Sequence, residues 1–258
     1  MSKTIIAALP DWLESGLGLA YPPLCQVCLE NAAGRKAGYV CGPCTTKVSL
    51  IADPCCERCG TPFEGEVHSL TSCGHCRGVS WHIDHARAAA RFSDPLSQVI
   101  HQFKYAQANY FEPFLKHLLQ GVVSTVLSRE NFDCVIPVPL HPLKERERGF
   151  NQSEPLAASV ARQLGLPMNN RAVRRVRFTD AQAGLSRSAR LRNVAGAFAP
   201  HPTASASGER VLLIDDVMTT GATLNACAKA LRAAGAARVV ACTVARALGG
   251  TLSLSPGA

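Results

Sequence analysis

Four cysteine pairs share one spacing in the first third of the chain: Cys25–Cys28, Cys41–Cys44, Cys56–Cys59 and Cys73–Cys76. A C-x-x-C turn aims two sulfurs at one point. Two such turns close a tetrahedron around Zn²⁺, with Zn–S about 2.3 Å. The gaps inside successive duos are twelve residues (29–40) and thirteen residues (60–72), which suits two zinc-ribbon sites. Sequential pairing, first with second and third with fourth, is preferred; interleaved pairing also satisfies four-coordination. Cys55 stands beside Cys56 as a spare, a non-ligand that could replace it. Disulfides or redox-active pairs are the competing readings. A reducing compartment argues against the first, and four copies without a thioredoxin-like unit argue against the second. All-cysteine sites leave no open coordination position, so this zinc is structural. Residues 23–80 hold few large aliphatic side chains, and metal should supply much of their folding energy. Cys134, Cys227 and Cys242 sit in apolar stretches and read as small core residues.

The composition of the whole 258-residue chain is that of a globular protein. Apolar residues make up 47% and charged residues 18%, which supports a buried core and excludes wholesale disorder. No window approaches the ~18 uninterrupted apolar residues of a membrane span. The start, MSKTIIAALPDWLESG, has too short an apolar stretch before Pro10 and Asp11 for a secretory signal. A cytoplasmic protein is expected. The net charge of +8 points to anionic partners: nucleic acid, phosphorylated metabolites or acidic lipid.

From Trp81 onward cysteine thins out, and strand and helix patterns alternate. Strands are expected at His85–Phe92, Cys134–Val138, Arg210–Asp215 and Arg238–Val244. Helices are expected at Ser97–Phe103, Phe111–Leu127, Ser153–Leu164 (capped by Ser153, stopped by Gly165) and Gly221–Ala234. A loop should follow Val138, and 201–208 reads as a surface loop. Strand, loop, helix and strand at these lengths form a βαβ unit, so the fold class is α/β with a parallel sheet flanked by helices. The expected organisation is an N-terminal helical segment (1–22), a small double zinc-ribbon module (23–80), an α/β domain (81–248) and a flexible tail (249–258).

The most informative segment is Val211–Thr223, VLLIDDVMTTGAT. Four apolar residues form a strand, two carboxylates stand at its C-terminal end, and a loop of small and hydroxyl residues leads into a helix. Ligands of open α/β sheets bind at the carboxyl ends of strands. Backbone N–H groups of such a loop can approach a phosphate, and the helix dipole favours the anion. Thr219, Thr220 and Thr223 add hydroxyls around Gly221 and Ala222, while Asp215 and Asp216 can accept hydrogen bonds from a ribose. The pattern suits a ribose 5-phosphate. It is neither a Walker A loop nor G-x-G-x-x-G. The bland alternative is a strand–turn–helix in which Asp216 merely caps the helix.

This segment resembles the phosphoribosyl pyrophosphate (PRPP) motif of type I phosphoribosyltransferases. The wider chain resembles the ComF family (ComFC- and GntX-like proteins) over nearly its whole length. The likeness runs through the double zinc ribbon, IHQFKY at 100–105, IPVPLHPLKERERGFNQ at 136–152 and AQAGLSRSARLRNVAGAF at 181–198. The resemblance implies a type I phosphoribosyltransferase-like sheet and PRPP bound with Mg²⁺. It implies a pyrophosphate loop at Pro139–Asn151 with Lys144, Arg146 and Arg148 as anion contacts. It also implies a mobile catalytic loop at Ala181–Phe198 with Arg187, Arg190 and Arg192. Between Arg171 and Arg192 there are seven arginines against the single acid Asp180. His101, Lys104 and Tyr105 lie where such folds carry the hood that reads the acceptor, whereas His82, His85 and His141 read as bystanders. Members of the family are often labelled amidophosphoribosyltransferase; the glutaminase half of that enzyme starts with an N-terminal catalytic cysteine, Met1–Ser2 offers none, and glutamine-dependent chemistry is not expected.

Three functions fit. The first is a phosphoribosyltransferase with an unknown acceptor. The second is a protein handling single-stranded DNA, or working with DNA-uptake proteins, in natural transformation; an aromatic content of 6% leaves few stacking platforms for it. The third is a PRPP-sensing regulator without turnover. The resemblance leaves a homo-oligomer open.

Overall fold

The computed structural model describes residues 23–63, 73–179, 186–202 and 206–248. The expected N-terminal helical segment (1–22) and tail (249–258) lie outside them. A 3-10 turn at Arg35–Ala37 and helix α1 (Gly42–Thr46) belong to the cysteine-rich part. The sheet elements and their helices follow in order. β1 (His85–Arg91) leads into α2 (Leu96–Tyr105), and α3 (Glu112–Val122) continues as a π turn over Val123–Leu127. β2 (Cys134–Pro137), α4 (Pro142–Arg148), α5 (Ser153–Leu164) and β3 (Val173–Arg175) come next. α6 (Arg187–Val194), β4 (Phe198–Pro200), β5 (Arg210–Met218), α7 (Ala222–Ala233) and β6 (Arg238–Arg246) follow among the described residues.

Four strands form a parallel sheet in the order β1-β6-β5-β2, and β3 pairs antiparallel with β4. Side chains alternate across the strands, so each strand feeds two cores. Leu212 and Ile214 of β5 point into a core built with Phe103, Leu115, Leu119 and Leu156 from α2, α3 and α5. Val211 and Leu213 point the other way, onto Leu224, Cys227 and Leu231 of α7.

The expected strands and helices recur with shifted ends. Three differences matter. β5 runs on to Met218, so both aspartates belong to the strand itself. The expected loop after β2 contains α4. Ser153 opens α5 but does not cap it: its hydroxyl donates to Asp215 Oδ1 at 2.9 Å, and the N-cap position falls to Gln152.

The cysteines pair sequentially. Cys25, Cys28, Cys41 and Cys44 bring their sulfurs within 4.8 Å of one another, as do Cys56, Cys59, Cys73 and Cys76. A regular tetrahedron with arms of about 2.3 Å has edges of about 3.8 Å. The Sγ–Sγ separations of 3.7 Å for Cys28–Cys41, 3.8 Å for Cys56–Cys76 and 3.4 Å for Cys59–Cys73 match that size. The knuckle amides of Cys41 and Cys73 donate to Cys25 Sγ and Cys56 Sγ. Backbone N–H groups of Glu30 and Asn31, with the Asn31 side chain, lower the Cys28 thiol to about 6. These donor sets fit structural zinc. Cys55 stands apart, its thiol donating to Asp53.

The tetrads are also core elements. The first packs with Ala33, Val40 and Val48 into the α3 side of the sheet; the second packs into the α7 side. At Gly38 (φ +60°) an added Cβ would sit 2.7 Å from the Phe114 backbone nitrogen, so the first ribbon lies directly on α3. The chain between the tetrads crosses the β1 edge: Ile51 N–H donates to Ala89 C=O, Arg91 N–H to Ser49 C=O and Ala86 N–H to Arg58 C=O. Otherwise open edge groups of β1 are thereby paired.

Protein prepared without chelator should carry about two zinc ions per chain by elemental analysis. Cys28→Ser and Cys59→Ser should each lower that to about one. Because both tetrads are built into the sheet's cores, ribbon and sheet should unfold in one calorimetric transition. A ribbon that melts separately, with the sheet's transition unmoved by metal loss, would contradict this packing.

Candidate functional site

A cleft of about 540 Å³ opens at the C-terminal ends of β2 and β5, within the usual range for small-molecule sites. Asp215 and Asp216 form its floor, exposed by only 7% and 2%. Burying two adjacent carboxylates is costly unless each finds partners. Asp215 Oδ1 accepts from Ser153 Oγ at 2.9 Å and from the Asp216 amide at 3.0 Å. Asp216 Oδ1 accepts from the Val217 amide at 2.8 Å, and its Oδ2 lies 2.6 Å from Lys104 Nζ. Burial, then the neighbouring Asp216 charge, push the Asp215 carboxyl up to about 7. Burial opposes the ammonium form of Lys104, but the Asp216 carboxylate more than offsets it and holds the lysine above its ordinary value.

The Thr219–Thr223 segment links β5 to α7. Gly221 adopts φ +79° immediately before the first helical residue, Ala222. Its Cα faces Trp81 and Met218, where an added Cβ would approach ring and methyl carbons to 2.7 Å. Glycine is therefore required on both backbone and steric grounds. The Ala222 amide meets Thr220 Oγ1 at 3.3 Å. Thr219, Gly221, Ala222 and Thr223 line the cleft, whereas Thr220 turns to a shallow groove beside Trp81.

The basic residues divide. Lys144 and Arg148 of α4 line the cleft: Lys144 Nζ lies 5.2 Å from the Phe178 ring centroid, and the Arg148 guanidinium lies 5.0 Å from that of Tyr105. Arg148 also donates to Gln152 Oε1 at 2.5 Å. Arg146 is exposed and folds back on its own helix toward the Pro142 carbonyl. Of the α6 arginines, Arg190 is buried at the cleft wall, and burial pushes its guanidinium below the ordinary value. Arg192 is exposed away from the cleft. Arg187 begins α6, but its side chain lies outside the described residues, as do residues 181–185 of the expected mobile loop.

Three contributors escape local reading. Ser153 and Lys104 hold the acid pair, although their segments suggest a helix cap and an acceptor hood. Arg175 of β3 lines the cleft, with its guanidinium 5.3 Å from the Phe198 ring centroid and a bond to Thr179 Oγ1. Nothing in its neighbours sets it apart from the other arginines of 171–192. Of the bystander histidines, His85 pairs with Glu130 at 2.9 Å and His141 caps α4.

The raised Asp215 pKa gives a signed pH dependence. An unfolded aspartate titrates near about 3.9. Between that value and about 7 the native state holds the extra proton. The contribution is fully present below about pH 4 and is lost as pH rises through about 7. Asp215→Asn, which never ionises, should gain stability relative to the wild type as pH goes from 5 to 8, by about 2 kcal/mol. Denaturant melts of the ligand-free proteins at the two pH values measure it; parallel curves would refute the buried, protonated Asp215.

Comparison with known proteins agrees with this architecture. A double zinc ribbon domain matches residues 16–77, and a phosphoribosyl transferase domain matches residues 151–255. Competence protein F of Haemophilus influenzae is 32% identical over 232 residues, covering 86% of this chain and 96% of that protein. The DNA utilization protein YhgH of Escherichia coli K12 is 31% identical over 235 residues, covering 89% and 100%. Competence protein ComFC of Bacillus subtilis is 29% identical over 211 residues, covering 78% and 81%. With a zinc-ribbon segment and a phosphoribosyltransferase-like sheet joined in one chain, and relatives of this identity along most of its length, the protein belongs to the ComF family.

Proposed function

We propose that the cleft binds PRPP with Mg²⁺ and transfers its phosphoribosyl group to an acceptor, releasing pyrophosphate. The observation that carries the reading is the joint placement of a buried acid pair and a threonine- and glycine-rich helix start on one cleft floor, with Lys144, Arg148 and Arg190 at its walls. The twelve-residue α7 directs its N-terminal amides and dipole toward a 5-phosphate seated on Thr219–Thr223. Asp215 and Asp216 accept the ribose hydroxyls. A hydroxyl reaching Asp216 exchanges with the Lys104 ammonium that pairs with it beforehand.

In the reaction the C1′–O bond to pyrophosphate breaks and its electron pair leaves with pyrophosphate. The acceptor's lone pair forms the new bond to C1′, and the acceptor gives up its proton. The centre is oxocarbenium-like, so positioning and charge stabilisation dominate. Lys144, Arg148 and Arg190 stabilise the departing pyrophosphate. Mg²⁺ arriving with PRPP would supply further neutralisation of that group. Both aspartates already have protein partners, so the ion's remaining ligands would come from PRPP and water.

The relatives' names, competence protein and DNA utilization protein, support a role tied to the handling of incoming DNA. The protein would act in the cytoplasm, where its thiols stay reduced; among the described residues no helix is long and apolar enough to cross a membrane. A second reading, direct binding of single-stranded DNA, is favoured by the net charge of +8 and the arginines of 171–192.

Calorimetry with Mg–PRPP should show saturable binding. At pH 8, above the raised Asp215 value, Asp215→Asn with Asp216→Asn removes charged acceptors worth ~1.5–3 kcal/mol each and should weaken binding at least about 100-fold. Thr223→Ala should cost about 3- to 10-fold. Absence of binding at millimolar PRPP and Mg²⁺ would refute the assignment. Pyrophosphate release across an acceptor panel separates an enzyme from a sensor. Salt-titrated single-stranded DNA binding tests the second reading: replacing Arg190 and Arg192 should flatten the salt slope by about one to two units if they neutralise phosphates, and should leave it unchanged if Arg190 serves pyrophosphate and Arg192 contacts neither.

A further inference from the structure

Arg246, the last residue of β6, is a cation exposed by only 2%. Its guanidinium bonds in two directions. One nitrogen donates to the backbone carbonyls of Met218, at 3.2 Å, and Thr219, the residues that open the anion loop. The other two nitrogens approach Thr61 Oγ1 at 3.3 and 3.1 Å, and that hydroxyl lies 3.0 Å from Cys59 Sγ of the second tetrad. A continuous polar chain therefore runs from a tetrad sulfur, through Thr61 and Arg246, to the loop backbone. The far end of the loop meets the same ribbon. Trp81 closes over Gly221, and Asn225 of α7 ties down the segment leaving the tetrad, bonding the Ser80 carbonyl at 2.9 Å and the His82 amide at 2.6 Å. The first tetrad packs against α3 on the other side of the sheet.

We propose that Arg246 is a positioning residue that couples the second cysteine tetrad to the anion loop, so that zinc at Cys56, Cys59, Cys73 and Cys76 and an anion at Thr219–Thr223 bind cooperatively. The physical basis is geometric. Closing the tetrad around zinc fixes Cys59 and Thr61, Thr61 fixes the guanidinium fork, and the fork fixes two carbonyls. With those carbonyls held, the following amides face the cleft before ligand arrives, which lowers the ordering cost of binding. Coupling between two binding sites is reciprocal, so the anion must tighten zinc by the factor that zinc tightens the anion. The inference takes its ligand from the PRPP reading, but the state of the loop can be read without any ligand.

The test compares zinc-replete wild type with Thr61→Val, Arg246→Lys and Arg246→Met, all full-length and carrying unchanged zinc. Amide hydrogen exchange is followed in the absence of ligand. Thr61→Val cuts the chain while leaving all four cysteines and the arginine. The expected result is at least about tenfold faster exchange of the amides bonded within the loop, Ala222 to Thr220 Oγ1 and Asn225 to the Gly221 carbonyl, in Thr61→Val and Arg246→Met, with the sheet amides unaltered; Arg246→Lys, lacking the fork, should not rescue it. Mg–PRPP affinity should fall in parallel. Saturating Mg–PRPP should raise the zinc affinity of the second tetrad alone, measured by chelator competition, and this gain should vanish in Thr61→Val. A uniform rise in exchange across the sheet would reduce Arg246 to a core residue and overturn the proposal, as would unchanged loop exchange in Thr61→Val. Should Arg246→Met fail to fold, Thr61→Val still decides. If the wild type binds no PRPP, the functional reading fails, while the exchange result still decides the coupling.

Discussion

A parallel sheet must be covered on both faces, because neither face of its strands is polar enough to meet water. In this protein α2, α3 and α5 cover one face and α7 with the β3–β4 pair covers the other. One cysteine tetrad is embedded in each cover, and the strip of chain between them pairs with the β1 edge. The metal-binding segment thus works as a clamp on the sheet. Its own apolar content is small, so its order depends on thiolate chemistry, and the sheet's edge and loop geometry depend on that order.

The same arrangement explains how the site keeps two buried carboxylates side by side. Asp215 and Asp216 occupy opposite-facing positions of one strand. Asp215 turns toward Ser153 at the start of α5, and Asp216 reaches Lys104 at the end of α2. Each acid is therefore held by a different helix, and the placement of those helices sets the partners of the floor. Asp215 retains a proton up to about 7, while Lys104 keeps a full positive charge beside Asp216. A floor of this kind can accept hydroxyl donors without a large structural change.

Local chemistry made much of this legible. The C-x-x-C spacing prescribes the tetrads, and the run VLLIDD followed by TTGAT prescribes a strand, an acid pair and a tight turn into a helix. Features that depend on contacts distant along the chain were not legible. Ser153 looks like a helix cap until β5 is seen 62 residues away. Lys104 looks like part of an acceptor hood until it meets Asp216. The stretch after β2 carries enough Pro, Gly and charge to read as a loop, yet His141 caps it, Pro142 starts it and Gly149 stops it, so it forms α4. Arg246 ends an apolar strand and has no motif; its role is defined by the carbonyls and the threonine around it.

The central claim is that the β5–α7 turn is a phosphate seat with an acid pair positioned for the attached ribose. Phosphorus-31 magnetic resonance of Mg–PRPP titrated with the zinc-loaded protein examines it most directly, because the 5-phosphate and the two pyrophosphate phosphorus atoms report separately. The account predicts that all three signals shift or broaden on binding. Excess inorganic pyrophosphate should restore the pyrophosphate signals, while ribose 5-phosphate should restore the 5-phosphate signal. Three signals unchanged at millimolar protein and ligand would contradict the account, as would perturbation of the pyrophosphate alone with the 5-phosphate free.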